Sequence, residues 1–318
     1  MYAYIRAYMQ PQGELSVEWM CHSLQVSRAG FYRSLQQKEP DQEEMLLRDR
    51  LHAIALEHRC YGSRRLTAML KREGLLVNRK RVQRLVREDN LLAVRRRRFT
   101  TTTNSDHKLV VYPNLAKRMV LNGSNQLWVA DLTYIRLQRE FVYLAVVLDA
   151  YSRRVIGWAL DRSLKASLTV GALEKAFASR QIESGLVHHS DRGVQYACSE
   201  YVSLLQQRDI VLSMSRAGNP YDNARCESFM KTLKHEELDG QNWASLEELE
   251  QDIDSFIEDY YNQKRLHSAL GYCSPVEFEQ QQQEKQQAAP ESQRGWPLGA
   301  GLSFSWHEEI YPDASAPP

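Results

Sequence analysis

The stretch QLWVADLTYIRLQREFVYLAVVLDAYSRRVIGWAL, residues 126–160, decides the fold. It contains three segments rich in β-branched and aromatic residues, residues 126–137, 141–149 and 154–160, joined by short turn-forming stretches. Runs of this length and spacing predict an antiparallel meander of three strands. Both alternating faces of the first strand are apolar, which predicts a central position in the sheet, and Asp131 interrupts one of these faces.

Helix and strand patterns alternate downstream of this meander. Apolar residues recur at helical spacing in some segments and form short continuous runs in others. The predicted order is helix 166–180, strand 186–189, helix 200–208, strand 210–213 and a helix from Pro220 onward. Ser245 and Glu248 form a capping box that begins a last long helix. We therefore predict an α/β (α+β) domain over residues 123–278, with a mixed five-stranded sheet and flanking helices.

The N-terminal part is predicted to be a small all-α region of the helix-turn-helix type. In residues 1–42, Ser16 and Ser27 can cap two short helices. This pattern is equally typical of a helical hairpin that packs on a neighbouring domain. Residues 43–98 give a stronger pattern of three helices, in which Asn78 caps the third.

Positive charge is concentrated in this region. The net charge of the chain is +1, but residues 59–98 hold 14 lysines and arginines against three acids. Such an excess beside apolar helical periodicity favours a polyanion partner, and a solvated basic surface is the alternative. The third helix resembles a DNA recognition helix, and a basic stretch follows it. The DNA-binding candidates are Arg79, Lys80, Arg81, Arg84, Arg95, Arg96, Arg97 and Arg98.

Other features of the sequence limit the class of protein. The five cysteines are scattered and form no C-x-x-C pair, which argues against a disulfide framework and a zinc site. The longest apolar run, residues 141–148, is far shorter than the roughly 20 residues that span a bilayer. Both features predict a soluble, cytoplasmic protein without a membrane partner. Residues 99–122 are predicted to form a linker, and residues 279–318 a disordered tail.

Three acidic residues lie where the predicted fold can bring them together. Asp131 lies in a central apolar strand, where an uncompensated carboxylate is costly, so a bound metal ion is the economical explanation. Asp191 follows a strand predicted to lie beside the first, although acids in such positions are most often turn residues. Glu227 lies on a helix capped by Asn219, and its simpler interpretation is an ion pair with Lys231.

Four segments carry a resemblance to a known family. The segments WVADLTY (128–134), HSDRGVQY (189–196) and NPYDNARCESF (219–229) resemble the three catalytic blocks of DDE transposases and retroviral integrases. The segment YNQKRLHSALGYCSP (261–275) resembles the closing motif of bacterial insertion-sequence transposases of the group numbered three, the protein of the second reading frame. The resemblance covers about residues 16–278 and implies a ribonuclease H-like integrase core.

The resemblance also implies a chemistry. Asp131 would contact two Mg²⁺ ions, for which Mn²⁺ could substitute, with Asp191 completing one site and Glu227 the other. Water, and then a freed DNA 3′-hydroxyl, would attack a phosphodiester in line. Lys231 and Lys234 would face the DNA. The residues expected to support this site are Gly193, Gln195, Tyr196, Asn219 and Asn223.

The same resemblance implies partners. Double-stranded DNA would be bound as terminal inverted repeats and as target, by a homo-oligomer in the bacterial cytosol. An upstream helix-turn-helix protein of the first reading frame would act with the chain, separately or as a frameshift fusion. The alternatives are a DNA-binding regulator without catalysis and a ribonuclease H-like nuclease that joins no strands. Asp149 is interpreted as a turn former, and His188 and His189 as core or supporting residues rather than zinc ligands.

Overall fold

The structure is a computed structural model that describes residues 5, 16–35, 42–91, 93, 110–182, 184–216 and 220–288. The chain divides into two compact units, residues 1–94 and 95–318. The helices predicted for segments 1–42 and 43–98 therefore belong to one unit. In the part of the chain that is described, no helix is long and apolar enough to cross a lipid bilayer.

The first unit is helical. Its main helices are α1 (Val17–Ser23), α2 (Arg28–Leu35), α3 (Gln42–Glu57), α4 (Ser63–Arg72) and α5 (Arg79–Glu88). The side chain of Ser16 accepts a hydrogen bond from Trp19 N at 3.1 Å, and that of Asn78 accepts one from Lys80 N at 2.8 Å. The predicted caps of α1 and α5 are confirmed, because each satisfies a backbone N–H of a first helical turn.

The second unit is built on a mixed sheet. Its strands are β1 (Leu127–Arg136), β2 (Phe141–Asp149), β3 (Val155–Asp161), β4 (Val187–Ser190) and β5 (Val211–Met214). The order across the sheet is β3-β2-β1-β4-β5. Strand β1 pairs antiparallel with β2 and parallel with β4, which in turn pairs parallel with β5. This confirms the predicted meander and the mixed five-stranded, ribonuclease H-like sheet.

Helices cover both faces of this sheet. They are α6 (Ala166–Ser179), α7 (Val194–Ala197), α8 (Ser199–Gln206), α9 (Ala224–Leu233), α10 (Leu246–Ser255) and α11 (Pro275–Ala288). Side chains alternate between the two faces along a strand. Leu127 and Val129 of β1 therefore pack in one core cluster with α9 and α10, and Trp128 and Ala130 in another with α6 and α8.

Helix α6 approaches β3 closely at Gly157. A Cβ atom at this position would lie 2.2 Å from the carbonyl oxygen of Ala172 and 2.6 Å from the backbone nitrogen of Ala176. Both atoms belong to the backbone of α6, so rotation of a side chain cannot relieve the overlap. We expect Gly157→Ala to lower the free energy of unfolding by about 1–3 kcal/mol, as overpacked cores do. Urea denaturation measures the change.

Gly171, on α6 itself, offers a matched control. A Cβ atom there would meet Ala159 Cβ at 3.6 Å, which is ordinary van der Waals contact. Alanine favours a helix interior over glycine, so we expect Gly171→Ala to raise the free energy of unfolding by roughly 0.5–1 kcal/mol. Equal effects of the two substitutions would contradict the close packing of α6 on Gly157.

The helix that carries Glu227 begins later than predicted. Pro220–Asn223 form a 3-10 turn and α9 follows it, so Glu227 lies in the first turn of α9 rather than two turns into a helix. Asp222 accepts hydrogen bonds from the backbone nitrogen of Arg216 at 3.0 Å and from its Nε at 3.1 Å. This ion pair joins Arg216, just after β5, to the 3-10 turn that precedes α9. Asn219, the predicted cap, lies outside the described residues.

The predicted linker is partly a piece of the second unit. Residues 110–122 are described, and Tyr112 is buried in a core cluster of that unit. The backbone nitrogen of Leu115 donates a hydrogen bond to Ser213 Oγ of β5 at 2.9 Å. The prediction of a linker over 99–122 is therefore wrong for its second part, because this segment packs along the edge strand.

The C-terminal helix also extends beyond the predicted boundary. Disorder was predicted from residue 279, but α11 continues to Ala288. Glu279, buried on this helix, accepts hydrogen bonds from Arg154 at 3.0 Å and from Arg180 at 2.6 Å. These ion pairs attach α11 to the start of β3 and to the end of α6. The rest of the predicted tail, residues 289–318, lies outside the described residues.

Candidate active site

The pairing of β1 with β4 aligns two of the three acids. Trp128 pairs with His188 and Val129 with His189 in a parallel register. Extending that register by two residues places Asp131 opposite Asp191. Neighbouring strands lie about 4.8 Å apart, so the two carboxyl groups are close in space. The predicted proximity of these two acids is supported by the electrostatic effect of Asp191 on Asp131.

Two side chains of the segment around Glu227 attach it to β1. Asn223 Nδ2 donates to the carbonyl oxygen of Ala130 at 2.8 Å, and Cys226 Sγ donates to that of Val129 at 3.3 Å. Both carbonyls lie just before Asp131 in the sequence. These contacts fix the first turn of α9 against the centre of the sheet and place Glu227 within electrostatic reach of Asp131.

The surroundings of Asp131 disfavour its ionised form. Burial is the largest cause and raises the pKa of the Asp131 carboxyl to about 7, with further increases from the negative charges of Asp191 and Glu227. Two groups oppose this effect and lower the pKa, namely the Leu132 backbone N–H, which donates to Asp131 Oδ1 at 2.8 Å, and the Lys234 ammonium. A cation bound beside the three carboxylates would offset the burial and repulsion that raise the pKa.

This perturbed pKa predicts a dependence of stability on pH. The pKa of Asp131 is higher in the folded chain than in the unfolded chain, so the folded state binds a proton more tightly between about pH 4 and pH 7. The Asp131 contribution to the free energy of unfolding therefore falls as pH rises through this window. An asparagine side chain at this position does not titrate. In EDTA at pH 8 we expect Asp131→Asn to be more stable than the parent by on the order of 1 kcal/mol or more.

The pH prediction is checked by urea denaturation of both proteins at pH 4, 6 and 8. Added Mg²⁺ should stabilise the parent at pH 8 and not Asp131→Asn, because a ligand that binds the folded state raises its stability. If the difference in free energy of unfolding between the parent and Asp131→Asn does not change from pH 4 to pH 8, the Asp131 carboxyl is ionised in the folded chain over this whole range.

Asp191 is both a turn residue and a member of the acidic cluster. Its Oδ1 accepts a hydrogen bond from the backbone nitrogen of Gly193 at 2.9 Å, which is the predicted turn interaction. A Cβ atom on Gly193 would lie 3.0 Å from Asp191 Oδ1 and 3.2 Å from Gln195 Oε1. Glycine therefore leaves space for both side chains. Gln195 Nε2 donates to the carbonyl oxygen of Leu164 at 3.3 Å, at the entrance to α6.

Glu227 forms the simple ion pair that its helical position predicts. Its Oε2 lies 3.0 Å from Lys231 Nζ, and the two side chains are 29% and 59% exposed. An exposed pair of this kind contributes at most about 1 kcal/mol, so it can exchange readily for a cation and a phosphate. Among the described residues, no group of three or more histidine, cysteine, aspartate or glutamate side chains forms a ready metal site. The donor set of carboxylate oxygens nevertheless suits Mg²⁺ or Mn²⁺.

Lys234 is a second lysine near this cluster. It is the first residue of a π-helical turn, Lys234–Leu238, that follows α9. Its Nζ lies 5.4 Å from the centre of the Tyr134 ring. Burial lowers the pKa of the Lys234 ammonium, and the negative charge of Asp131 acts in the opposite direction. Lys234 is therefore close to the Tyr134 ring and within electrostatic reach of Asp131.

Two predicted supporting residues carry buried polar atoms without a hydrogen-bond partner in the described part of the chain. These atoms are the hydroxyl oxygen of Tyr196 and Oδ1 of Asn223. Burial raises the pKa of the Tyr196 phenol well above its usual value, and electrostatic interactions with Tyr201, Asp191 and Asp131 raise it further. Tyr196 therefore keeps its proton and is a donor within electrostatic reach of Asp191 and Asp131, while Asn223 Oδ1 is an acceptor.

The remaining polar residues of the sheet are structural, as predicted. Asp149 accepts hydrogen bonds from the backbone nitrogens of Asn125, Tyr151 and Ser152 at 2.6, 2.8 and 3.0 Å, which confirms its interpretation as a turn former. Both histidines are buried. Burial lowers the pKa of His188 to about 3 and that of His189 to about 4.

Both neutral rings have hydrogen-bond partners. His188 Nε2 lies 3.0 Å from the Tyr201 hydroxyl. The two ring nitrogens of His189 lie 2.8 Å from Ser213 Oγ and 3.0 Å from Ser215 Oγ. Their roles as core residues are confirmed.

The closing motif contains an interaction that the sequence did not reveal. Arg265 Nε and Nη2 donate to the carboxylate of Glu236 at 2.8 and 2.7 Å, and both side chains are almost fully buried. Glu236 lies on the π-helical turn that begins at Lys234. Asn262 pairs its side-chain amide with the backbone of Val155, donating at 3.0 Å and accepting at 3.0 Å. The motif therefore supports the sheet and the turn that carries Lys234.

The basic helix α5 is partly neutralised within its own unit. Arg84 forms ion pairs with Glu44 at 2.9 Å and Glu88 at 3.1 Å, and Arg81 lies 3.5 Å from both Glu43 and Glu44. Arg79 and Lys80 begin the helix and are exposed. Four other predicted DNA-contact residues lie outside the described residues, namely Arg95, Arg96, Arg97 and Arg98.

Known protein families match most of the described chain. An integrase core domain matches residues 122–220, a second integrase core domain matches residues 208–275, and an HTH-like domain matches residues 41–99. The two integrase matches together include all three acids. The helical match includes the whole of α5.

Relatives of similar length are known. The chain is 40% identical over 264 residues to the insertion element IS600 31 kDa protein of Shigella sonnei, a match that covers 81% of this chain and 97% of that protein. It is 35% identical over 274 residues to transposase InsF for insertion sequence IS3A of Escherichia coli strain K12, covering 84% and 95%. Among solved structures, the HTLV-2 integrase catalytic core domain in complex with magnesium is similar at 17% identity and a TM-score of 0.37, over 50% of this chain and 97% of that chain.

Proposed function

Because the chain belongs to the family of insertion-sequence transposases with an integrase core, we propose that it cuts DNA at the ends of an insertion sequence and joins the freed 3′ ends to target DNA. The observation that supports this proposal is the parallel pairing of Val129 with His189, because extending this register by two residues would align Asp131 with Asp191. The hydrogen bonds from Asn223 and Cys226 to β1 add Glu227 to the same cluster.

The three acids are proposed to hold two Mg²⁺ ions, or Mn²⁺ in their place. Asp131 would contact both ions, with Asp191 and Glu227 each completing one site. When bound, the ions would activate the attacking hydroxyl and neutralise charge on the leaving oxygen. Lys231 would leave Glu227 and contact a DNA phosphate, since their exposed pair is weak. The Tyr196 hydroxyl, which has no hydrogen-bond partner among the described residues, would supply a donor near these carboxylates.

The first unit is proposed to bind DNA through phosphates at the start of α5. Phosphate contacts release counterions, and each contributes about −0.9 to the slope of log affinity against log salt. We expect the double substitution Arg79→Ala and Lys80→Ala to flatten that slope by about 2, because both side chains are exposed. Fluorescence anisotropy with a labelled duplex between 50 and 200 mM salt, roughly the range in which such effects are large, measures the slope.

Arg81 and Arg84 on the same helix are the matched comparison. Their charges are shared with Glu43, Glu44 and Glu88, so replacing both by glutamine should flatten the slope by less than about one unit. A larger effect of this second pair would show that the ion pairs open when DNA binds. An unchanged slope in both variants would mean that α5 presents a solvated surface.

Strand joining separates the proposed function from its alternatives. The assay uses the purified chain, Mg²⁺, a supercoiled target and a duplex of terminal-repeat sequence labelled at one end. Joined product supports the transposase. Cleavage without joining supports a ribonuclease H-like nuclease, and stable binding without cleavage supports a regulator.

Assembly and end recognition are also part of the proposal. The chain would act as a homo-oligomer on paired DNA ends and take end specificity from the helix-turn-helix protein of the first reading frame. Competition between terminal-repeat and scrambled duplexes, with and without that protein, tests whether end specificity depends on it. If the chain alone prefers the terminal repeat by about 10³-fold or more, it reads the sequence itself.

A further inference from the structure

The helices α1 and α2 are joined by a tight turn, and both precede the HTH-like match, which begins at residue 41. The turn contains Gln25, whose φ of 51° lies in the left-handed region. The backbone nitrogen of Gln25 donates to the carbonyl oxygen of His22 at 3.1 Å, and that of Val26 donates to the carbonyl oxygen of Cys21 at 2.9 Å. These two hydrogen bonds end α1 and fix the direction in which the chain enters α2.

A small apolar core holds α1 and α2 together. Phe31 of α2 is completely buried. The core cluster consists of Ile5, Met20, Cys21 and Phe31, with Val17, Leu24 and Val26 packed against it. At the start of α2, the backbone nitrogen of Gly30 donates to Ser27 Oγ at 3.2 Å, which confirms the predicted cap. The core and the cap determine which face of α2 points outward.

The outward face of α2 carries polar and charged side chains. Its exposed residues are Arg28, Ala29, Tyr32 and Arg33, which share one side of the helix because residues four apart are neighbours there. The Tyr32 side chain is 51% exposed. Arg28 lies 3.1 Å from Glu18 of α1, but both side chains are more than half exposed, so the ion pair is weak. This face therefore offers two guanidinium groups and a phenol to a ligand.

This arrangement suits the major groove of duplex DNA. In a helix-turn-helix, the second of two helices lies in the groove, which is about 12 Å wide, and its first turns contact base edges. An arginine can donate two hydrogen bonds to O6 and N7 of a guanine, and a tyrosine hydroxyl can donate or accept one. The phosphate contacts proposed for Arg79 and Lys80 of α5, in contrast, position a protein without reading sequence.

We propose that α2 enters the major groove of the DNA end and reads a short block of sequence, with Arg28 on a guanine and Tyr32 at the neighbouring base. On binding, Arg28 exchanges Glu18 for the base. The inference rests on the proposed function, since its ligand is the end of the insertion sequence. One or two contacts of this kind give a preference of about 10- to 100-fold. This is below the roughly 10³-fold of a complete specific site and leaves the remaining end specificity to the protein of the first reading frame.

The test uses the full chain with Glu227→Gln, so that bound duplex is not cut. Duplexes that bind this protein are selected from a random pool, and the recovered block should occur in the terminal repeat. Binding is then compared between the selected duplex and the same duplex with the block scrambled. Arg28→Ala should weaken binding of the selected duplex by about 10- to 100-fold and of the scrambled duplex by less than about threefold.

The base contact itself is tested by changing the DNA. Replacing the contacted guanine by 7-deazaguanine removes the N7 acceptor from the major groove and keeps base pairing. This replacement should weaken binding by several-fold when Arg28 is present and have no effect on Arg28→Ala, because a shared contact makes the two changes non-additive.

Two matched controls make the result specific. Arg79→Ala removes an exposed arginine of α5 and should weaken binding of both duplexes to the same extent. Tyr32→Leu should lower the preference for the selected duplex. Trp19→Leu removes an aromatic ring of α1 that is 56% exposed and should leave this preference unchanged.

Four results would overturn the inference. They are a pool that yields no preferred block, a block that is absent from the terminal repeat, equal loss of affinity for both duplexes with Arg28→Ala, and an equal effect of 7-deazaguanine on the parent and Arg28→Ala. Strand joining by the protein with Glu227 intact, alongside any of these results, would leave the proposed function standing. A protein in which α2 reads the block but which joins no strands would retain this inference and reject the transposase.

Discussion

Replacing Asp131 by asparagine is expected to lower the rate of DNA strand cutting by at least about 10³-fold, because a metal site that loses a shared ligand loses several kcal/mol of transition-state stabilisation. DNA affinity should remain within several-fold of the parent value, since phosphate contacts elsewhere carry most of the binding. Asp191→Asn and Glu227→Gln should have the same effect. Gel assays of cutting and anisotropy measurements of binding report the two quantities separately.

The matched control for these substitutions is Glu174→Gln. Glu174 is an exposed acid on α6, and its replacement removes the same single charge. We expect cutting by this variant to equal that of the parent. Substantial cutting by any one of the three acid variants would remove that residue from the proposed catalytic set.

The largest expected effect on stability comes from Arg265→Ala. This substitution leaves the carboxylate of Glu236 buried, with the Tyr260 hydroxyl at 2.9 Å as a remaining donor. Breaking a buried ion pair on one side costs about 3–5 kcal/mol. Urea denaturation followed by tryptophan fluorescence measures the loss, because Trp128 and Trp243 are buried in the same unit.

A double variant separates an uncompensated charge from lost packing. Arg265→Met with Glu236→Leu removes both charges and keeps apolar volume, so most of the lost stability should return. If the double variant is as unstable as Arg265→Ala, this pair stabilises the fold through the packing of its side chains rather than through their charges. If Arg265→Ala costs less than about 1 kcal/mol, the pair behaves as an exposed one.

Local patterns in the sequence were sufficient to predict the sheet and the turn role of Asp149. The pattern of apolar residues predicted the bounds of β1, β2 and β3 to within one or two residues. A strand that is buried on one face shows alternating apolar residues in its sequence, and a strand that is buried on both faces shows a continuous apolar run. The turn role of Asp149 was also predictable, since an aspartate before a polar turn satisfies nearby backbone N–H groups.

Interactions between residues far apart in sequence could not be predicted in this way. The extension of α11 depends on Glu279 meeting Arg154 and Arg180, which lie 125 and 99 residues away along the chain. The glutamine-rich composition of this segment predicted disorder, but the ion pairs of Glu279 stabilise a helix there. The pairing of Arg84 with Glu44, 40 residues away, likewise reduces the free positive charge that the sequence indicated for α5.

Irregular helical turns were the second feature that could not be predicted from the sequence. The pattern of apolar residues around Glu227 predicts a helix but does not distinguish a 3-10 turn from the first turn of an α-helix. The π-helical turn at Lys234–Leu238 is similarly invisible to periodicity. It nevertheless determines where Lys234 and Glu236 point, since one lies beside Tyr134 and the other meets Arg265.

Counting bound metal ions tests the central claim most directly. Electron paramagnetic resonance measures the Mn²⁺ bound per chain in the DNA complex, independently of cutting. The proposed arrangement predicts two ions for the parent, none for Asp131→Asn, one each for Asp191→Asn and Glu227→Gln, and two for Glu174→Gln. Undiminished binding of Mn²⁺ by Asp131→Asn would contradict the claim that the Asp131 carboxylate holds the metal ions of the reaction centre.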